Sequence, residues 1–229
     1  MLTFIDILTY KHSFFAPSVF EVDQKQKIRQ NKRKGAKPMT EMLEIEFKTL
    51  LAKEDYTRLL SHYQLTTESF HIQTNIYYDT PDFQLKQRGC GLRIRLLDTY
   101  AEYTLKTPAA EGKLETTDTY TLQEATKMIE DQTLPRTGAV SEKLHELSID
   151  SNQLFKIGEL TTKRVEFPID EGLLAIDESW GEQLHDYELE LEVTDAASGK
   201  VAFERFLQRQ GIPYHPSKNK IQRMFEAKN

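Results

Sequence analysis

Two glutamates and a lysine at alternating positions are the first residues in the chain whose types and spacing suit chemistry: Glu44, Glu46 and Lys48. The segment around them alternates apolar and charged residues, so as a β-strand it places all three charged side chains on one face. Neighbours on one face of a strand lie about 7 Å apart, a spacing at which two carboxylates can share a hard divalent cation. The lysine would suit an anion carried by that cation. Taken alone, the pattern is also typical of a solvated strand face.

Further charged rows follow along the chain, and each alternates with apolar residues. The rows hold charges of both signs, whereas a plain solvent-facing strand would be expected to mix in neutral polar residues. The charged positions in these segments are Arg93, Arg95, Lys106, Glu115, Arg164, Glu166, Asp177, Glu188, Glu190 and Glu192. Glutamates 188, 190 and 192 form one unbroken row, which on its own would also fit a solvated edge.

Strands and helices that would position these rows can be predicted from hydrophobic periodicity. Strand-like patterns are found over residues 43–48, 73–78, 91–97, 102–106, 114–122, 160–167 and 187–193, and the apolar run 172–176 leads to Asp177. Helical spacing predicts helices over residues 53–63, 83–87, 123–131, 141–147 and 198–210. The fold class is therefore mainly β, with helices in addition (α+β).

A closed barrel of antiparallel strands accounts for charged rows on so many strands. Closure turns the charged faces inward around a polar lumen, and the apolar faces point outward to be covered by the helices. Buried like charges are costly unless they are paired or bind metal. We expect carboxylates on one wall for divalent cations and Arg/Lys on the other wall for a polyphosphate chain.

Composition excludes several classes of protein. The chain has 229 residues, a net charge of −6 and no run of 18 apolar residues, which argues against a nucleic-acid binder and against a membrane span. The single cysteine, Cys90, cannot form an internal disulfide and fits a reducing cytoplasm. Scattered histidines and one cysteine form no zinc-type cluster.

Residues 1–38 differ from the rest of the chain in charge. They carry eight Lys/Arg against three acidic residues, and the basic run from Lys25 to Lys37 ends at Pro38. The order of charge and apolar residues is the reverse of a secretory signal. We predict a basic extension that is poorly ordered or not part of the domain, or a start codon assigned too early, and one domain over residues 39–229. The alternative is a basic arm for a membrane or a nucleic acid.

The ordered set of charged residues resembles the CYTH superfamily, also called the triphosphate tunnel metalloenzymes. Glu44-x-Glu46-x-Lys48 matches the ExExK signature of that family, and the other charged positions follow it in the expected order. The resemblance covers residues 42–225. Phrases such as Tyr78-Asp79-Thr80-Pro81 and Asn219-Lys220-Ile221-Gln222-Arg223 are similar to a branch of the family found in low-GC Gram-positive bacteria.

The resemblance implies an eight-stranded antiparallel tunnel with helices packed outside, using one or two Mg²⁺ or Mn²⁺ ions. The implied metal ligands are Glu44, Glu46, Glu115, Asp177, Glu188, Glu190 and Glu192. The implied contacts to substrate are Lys48, Arg93, Arg95, Lys106, Arg164 and Lys220. Catalysis would rest on Glu44, Glu46, Lys48 and Arg95. Lys218 competes with Lys220 for the last position, and we prefer Lys220, which we expect at the end of a strand.

The implied activity is metal-dependent hydrolysis of inorganic triphosphate or of a small organic triphosphate. A class IV adenylate cyclase that forms cyclic AMP from ATP is the first alternative, and a non-enzymatic polyphosphate-binding protein is the second. We expect a small-molecule triphosphate as the partner, with no nucleic acid and no membrane. We also expect a cytoplasmic location and a monomer or homodimer.

Overall fold

The computed structural model describes residues 40–227, which fold into a closed barrel of eight antiparallel strands with helices on its outer surface. The strands are β1 (Thr40–Leu51), β2 (His71–Asp79), β3 (Gly91–Leu96), β4 (Ala101–Pro108), β5 (Lys113–Tyr120), β6 (Phe155–Ile169), β7 (Gly172–Trp180) and β8 (His185–Val193). Their order around the barrel is β1-β5-β4-β3-β2-β6-β7-β8, and β8 pairs again with β1. The predicted fold class is confirmed.

The strands follow the predicted alternation, and most of them, though not β3, extend beyond the predicted bounds at one or both ends. β1 continues to Leu51 because it has two partners in succession: it pairs first with β5 and then, from Ile45 onward, with β8. β6 spans 15 residues because it pairs with both β2 and β7. Pairing with two neighbours satisfies backbone groups over a length that side-chain alternation alone does not reveal.

Six α-helices lie within the described residues: α1 (Lys53–His62), α2 (Gln84–Gln87), α3 (Leu122–Glu130), α4 (Ala139–Glu146), α5 (Ala196–Gln210) and α6 (Lys220–Glu226). The first apolar cluster outside the barrel joins α1 and α5 to the outward faces of β1, β6, β7 and β8. Leu59 of α1 and Phe206 of α5 are fully buried in this cluster. Each side chain of this kind contributes about 1.5–3 kcal/mol through burial.

A second apolar cluster joins α2, α3 and α4 to the outward faces of β2, β3 and β4. α4 is anchored by Asp118 of β5, whose carboxylate accepts hydrogen bonds from the backbone amides of Ala139 and Val140 at 3.1 and 3.0 Å. The carboxylate therefore satisfies amides that a helix N-terminus leaves unpaired. As predicted, the apolar faces point outward and are covered by helices.

Two predicted boundaries were wrong for the same reason. The strand expected to reach Leu122 ends at Tyr120, because Thr121 caps α3 and forms a capping box with Glu124. Lys220, expected at the end of a strand, is the first residue of α6, where Asn219 and Gln222 form a capping box. A capping residue followed three positions later by Glu or Gln is a helix-start signal that strand periodicity does not register.

α6 lies across the end of the barrel where β2 ends and where β6 and β8 begin. Met224 packs against Tyr77 and Leu160, and a side chain at Gly158 would collide with it. The segment before α6 is fixed to β1 by a bridge between Thr49 and Pro216. Among residues 40–227, no helix has the length and apolar character needed to cross a bilayer. The predicted extension over residues 1–38 lies outside the described residues.

Candidate active site

The barrel encloses a cavity of about 540 Å³. Eleven of the residues predicted for the site line it: Glu44, Glu46, Lys48, Arg93, Arg95, Lys106, Glu115, Arg164, Glu190, Glu192 and Lys220. The other two, Asp177 and Glu188, are fully buried behind the wall, where they contact Lys220. The structure thus brings all thirteen residues together, eleven on the surface of the cavity and two behind its wall.

Charges of opposite sign are interleaved on the wall, and the expectation of one acidic wall and one basic wall is wrong. Lys48 Nζ lies 2.5 Å from Glu46 Oε1 within β1. Lys106 Nζ of β4 lies 2.5 Å from Glu44 Oε2 and 2.8 Å from Glu115 Oε1. Interleaving lowers the cost of burying so many charges, because each has an opposite charge within contact distance.

Glu115 is held as a carboxylate by the cations around it. Burial alone would raise its pKa, but Lys106 and Arg93 outweigh burial and bring the pKa to about 2. The pKa of the Lys106 ammonium is correspondingly raised by Glu115 and Glu44 against the effect of burial. Both groups therefore stay charged at neutral pH, and Glu115 is engaged by two cations.

A group of carboxylates forms where β1 meets β8. Glu46 and Glu192 are directly opposite in the strand register, and Lys48 is opposite Glu190. Side chains paired across antiparallel strands have Cβ atoms about 4.5–5.5 Å apart. Burial raises the pKa of Glu44, and Glu46 and Glu115 add to that rise against the effect of Lys106. Burial and Glu190 would raise the pKa of Glu46 as well, but Lys106 and Lys48 outweigh them and lower it, so the lysines keep this carboxylate ionised.

Arg93 and Arg95 are neighbours on the inward face of β3, and we call them the β3 arginines. Within the described part of the chain, the buried Nε–H of Arg93 has no hydrogen-bond acceptor, and its nearest carboxylate, Glu115, lies 3.6 Å from Nη2. Arg95 Nε donates to Asn75 Oδ1 at 3.0 Å, while Nη1 lies 3.8 Å from Glu102 Oε2. Burial and the neighbouring Arg93 lower the pKa of Arg95. Donors of this kind favour an anion in the cavity.

A second group of charges, the C-terminal ion cluster, consists of Arg164, Asp177, Glu188, Glu190, Lys220 and Arg223. Arg164 binds both oxygens of Asp177, with Nε at 2.7 Å and Nη2 at 2.6 Å, and its Nη2 also contacts Glu190. Lys220 Nζ lies 2.8 Å from Asp177 and 2.7 Å from Glu190, and it also contacts Glu188. Cations therefore occupy the space among these three carboxylates.

Arg223 completes this cluster, and sequence reasoning had assigned it no role. Its Nη1 donates to Glu188 at 2.8 Å and to Ser217 Oγ at 2.8 Å, and its Nε donates to Asp186 at 2.6 Å. The available signal was the spacing from Lys220, because residues three apart on a helix share a face. Reading the segment as a strand end hid that relation.

Two sets of carboxylates could hold a divalent cation, and Glu190 belongs to both. Asp177, Glu188 and Glu190 have oxygens within 4.8 Å of one another, and Lys220 Nζ contacts all three. Glu44, Glu46, Glu190 and Glu192 all face the cavity, and they offer only oxygen donors. Hard cations such as Mg²⁺ and Mn²⁺ prefer such ligands. The carboxylates that line the cavity therefore supply donors of the kind that a divalent cation prefers, and Glu44, Glu46 and Glu190 each also contact a lysine.

Comparison with known proteins identifies the family. The CYTH domain model matches residues 42–225, and the chain belongs to the CYTH domain family. It is 40% identical over 190 residues to YjbK of Bacillus subtilis (strain 168), a candidate triphosphatase, covering 83% of this chain and 98% of YjbK.

Solved structures show the same fold. The crystal structure of a candidate adenylate cyclase from Bacillus halodurans is 40% identical, with a TM-score of 0.78 over 82% of this chain and 100% of that one. The HpAC1 protein from Hippeastrum is 24% identical, with a TM-score of 0.68 over 82% of this chain and 97% of that one. The second likeness supports the fold alone.

Proposed function

We propose that this protein hydrolyses a triphosphate inside the barrel, with Mg²⁺ or Mn²⁺ as the cofactor. The observation that carries the proposal is the pair of β3 arginines, which face the cavity while the buried Nε–H of Arg93 lacks an acceptor within the described residues. A phosphate oxygen would satisfy that donor, and guanidinium forks match phosphate geometry. The 40% identity to YjbK, a candidate triphosphatase, supports the same reaction.

Substrate binding falls in this proposal to the cations that face the cavity. Arg93 and Arg95 donate to phosphate oxygens from β3, and Lys48 and Lys106 contribute compact charges from β1 and β4. Arg164 and Lys220 also line the cavity, but both contact Asp177, a carboxylate that is fully buried behind the wall. We assign to these two mainly the neutralisation of the C-terminal ion cluster, with substrate contact secondary.

Glu44, Glu46, Glu190 and Glu192 would hold the cation, since they face the cavity beside the phosphate-binding lysines. A bound divalent cation would withdraw charge from the phosphate oxygens and lower the pKa of a coordinated water. Glu115 is engaged by Lys106 and Arg93, and Asp177 and Glu188 by Lys220, so we give these three carboxylates a supporting part.

Catalysis in this arrangement rests on fixed charges that the strands place before the substrate arrives. Lys48 and the β3 arginines would stabilise negative charge that develops on the transferred phosphoryl group, at little reorganisation cost. Glu46 lies beside Lys48, where it can orient a water and keep the lysine in place. Water is the nucleophile, so the products are pyrophosphate or a diphosphate together with phosphate.

The test is a panel of triphosphates, both inorganic and organic, incubated with Mg²⁺ or Mn²⁺. Phosphate, pyrophosphate and cyclic nucleotide are measured in each reaction. The proposal expects phosphate release that depends on the metal. Cyclic AMP as the main product from ATP would favour the cyclase alternative. That alternative is tested because the Bacillus halodurans relative is described as a candidate adenylate cyclase. Binding without turnover would favour the non-enzymatic alternative.

A further inference from the structure

Asn75 lies at the centre of β2, where the strand pairs with β3 on one side and β6 on the other. Its side chain lines the cavity but is only 1% exposed. In the strand register its partner on β3 is Arg95. Buried amide side chains need hydrogen bonds, so the partner of this amide determines what Asn75 does.

The contact between Asn75 and Arg95 has one possible polarity. Arg95 Nε lies 3.0 Å from Asn75 Oδ1, and a guanidinium can only donate, so the amide must turn its oxygen toward Nε. Among the described residues this is the one side-chain hydrogen bond that Arg95 donates. With Nε occupied, Arg95 has its terminal nitrogens, Nη1 and Nη2, left for an anion.

The neutrality of this partner separates Arg95 from Arg164. Arg164 Nε donates to the carboxylate of Asp177 at 2.7 Å, and its Nη2 binds the second oxygen of that group at 2.6 Å. A carboxylate orients a guanidinium but also cancels its charge, whereas an amide oxygen orients it and leaves the charge intact. Glu102 is 3.8 Å from Arg95 Nη1, which is too long for a hydrogen bond.

We propose that Asn75 is a positioning residue for triphosphate binding, which holds Arg95 by Nε so that its Nη1/Nη2 end faces the phosphate without a hydrogen bond to a carboxylate. The inference rests on the proposed function, because it names how one of the substrate-binding cations is aimed. Asn75 does not touch the substrate in this scheme and acts through Arg95.

A double-mutant cycle tests whether Asn75 acts through Arg95. Asn75→Ala is expected to raise the Kd and KM for inorganic triphosphate about tenfold, the size of one hydrogen bond to a charged group, with a smaller change in kcat. In an Arg95→Ala background the same substitution should have little further effect, because the group that it positions is gone. Equal effects in both backgrounds would overturn the proposal.

Asn75→Asp tests whether neutrality matters, and its near-identical shape protects the test against misfolding of the alanine variant. The aspartate can still accept from Nε but adds a negative charge beside the guanidinium. We expect triphosphate binding to weaken about tenfold or more. Wild-type affinity in this variant would show that the hydrogen bond alone suffices and would contradict the proposal.

Gln73→Ala is the matched control, because Gln73 lies on the same strand and face, lines the cavity and is 3% exposed. Its effect should add to that of Arg95→Ala instead of vanishing. If Gln73 proved as strongly coupled to Arg95 as Asn75 is, truncation of any inward side chain on β2 would disturb the site. That result would contradict a specific role for Asn75.

A ligand-independent readout separates failure of this inference from failure of the proposed function. The Nε–H NMR signal of Arg95, assigned by its loss in Arg95→Lys, should exchange slowly with water in the wild type and rapidly in Asn75→Ala. A signal that Asn75→Ala leaves unchanged would refute the positioning. Wild-type protein that neither binds nor hydrolyses triphosphate would refute the proposed function, while the signal still reports on the contact.

Discussion

Arg95 and Arg164 both line the cavity, yet their guanidinium groups meet different partners. Arg95 Nε is bound by the neutral amide of Asn75, and its nearest carboxylate, Glu102, lies 3.8 Å from Nη1. Arg164 is bound by both oxygens of Asp177 and contacts Glu190 as well. The carboxylate contacts of the β3 arginines are thus 3.6 and 3.8 Å long and are not hydrogen bonds, whereas the cations of the C-terminal ion cluster are hydrogen-bonded to its carboxylates.

This difference between Arg95 and Arg164 shows that residue type alone does not tell which charged residues in the cavity bind substrate. A buried ion pair returns in Coulomb energy part of what desolvation costs, and it ties up the donors that a ligand would need. A buried cation whose N–H groups are not hydrogen-bonded to a carboxylate keeps donors for a ligand, and an anion that binds them offsets part of the desolvation cost. The C-terminal ion cluster thus supports the fold, and the β3 arginines favour a ligand.

The largest expected effect comes from breaking the C-terminal ion cluster. Lys220→Met leaves Asp177 and Glu188 buried with one cation fewer, and removing one partner of a buried pair costs about 3–5 kcal/mol. The melting temperature, followed by circular dichroism, should fall by on the order of 10 °C.

The control for that substitution is Lys218→Met. Lys218 is 61% exposed and pairs with Glu226 at the surface. Its loss should change stability by about 0.5 kcal/mol or less. If Lys220→Met melts like the control but loses triphosphate affinity, Lys220 belongs to the substrate site and not to the support of the fold.

The next effect concerns turnover. Glu46→Gln keeps the shape of the side chain but removes a charge from the proposed cation site, so the requirement for Mn²⁺ should rise. Loss of one fixed electrostatic group typically lowers the rate about 10²–10³-fold. Titration of Mn²⁺ against initial rate measures both changes.

Glu41→Gln is the control on the same strand, because Glu41 points outward to Lys143. It should retain wild-type rates and metal dependence. A Glu46→Gln variant that behaves the same way would mean that Glu46 has no part in the chemistry, and the assignment of the tunnel would fail with it.

Loss of a β3 arginine should act on binding more than on folding. Arg95→Ala removes a charged donor whose burial is costly, so the melting temperature should stay near that of the wild type. Triphosphate affinity should fall about 10–100-fold, the value of hydrogen bonds to a charged group. Calorimetric titration with inorganic triphosphate measures the change. A variant that unfolds while the remaining folded fraction binds normally would place Arg95 with Arg164 as a supporting group.

The barrel could be predicted from sequence because the pattern that produces it recurs along the chain. Charged residues alternate with apolar ones on strand after strand, and closure is the arrangement that buries both faces. The two capping boxes at Thr121 and Asn219 were missed because a helix start depends on one residue and its third neighbour, not on a repeating pattern.

The lining residues were predictable, but their pairings were not. Alternation tells which side chains point inward, and it placed Glu46 and Arg164 in the cavity correctly. Which cation meets which carboxylate depends on the register between strands distant in sequence, such as β1 with β8. Asn75 was missed because β2 carries the neutral amides of Gln73 and Asn75 on its inward face and has no row of charges to mark it.

A pH experiment sharpens the account of Glu115. Its folded-state pKa is about 2 against an ordinary value of 4.5, so its ionised form stabilises the fold above pH 4.5 and that contribution is lost as the pH falls toward 2. The difference in unfolding free energy between wild type and Glu115→Gln should therefore shrink below pH 4.5, by about 1.4 kcal/mol per pH unit. Denaturant titrations at pH 5.5, 4 and 3 measure it. A constant difference would show that Lys106 and Arg93 do not depress this pKa.

Removal of residues 1–38 should have the smallest effect, because the β3 arginines and the C-terminal ion cluster both lie outside that segment. The β3 arginines, the C-terminal ion cluster and their partners are all within residues 40–227, and residues 1–38 carry the opposite charge balance. We therefore predict that a chain beginning at Met39 folds, melts within a few degrees of the full chain and binds inorganic triphosphate with the same affinity. Thermal melts and calorimetry on both chains, at matched ionic strength, test this. Insoluble protein after the truncation would contradict the predicted domain boundary, and a soluble protein with weaker binding would instead indicate that the basic segment contributes to the site.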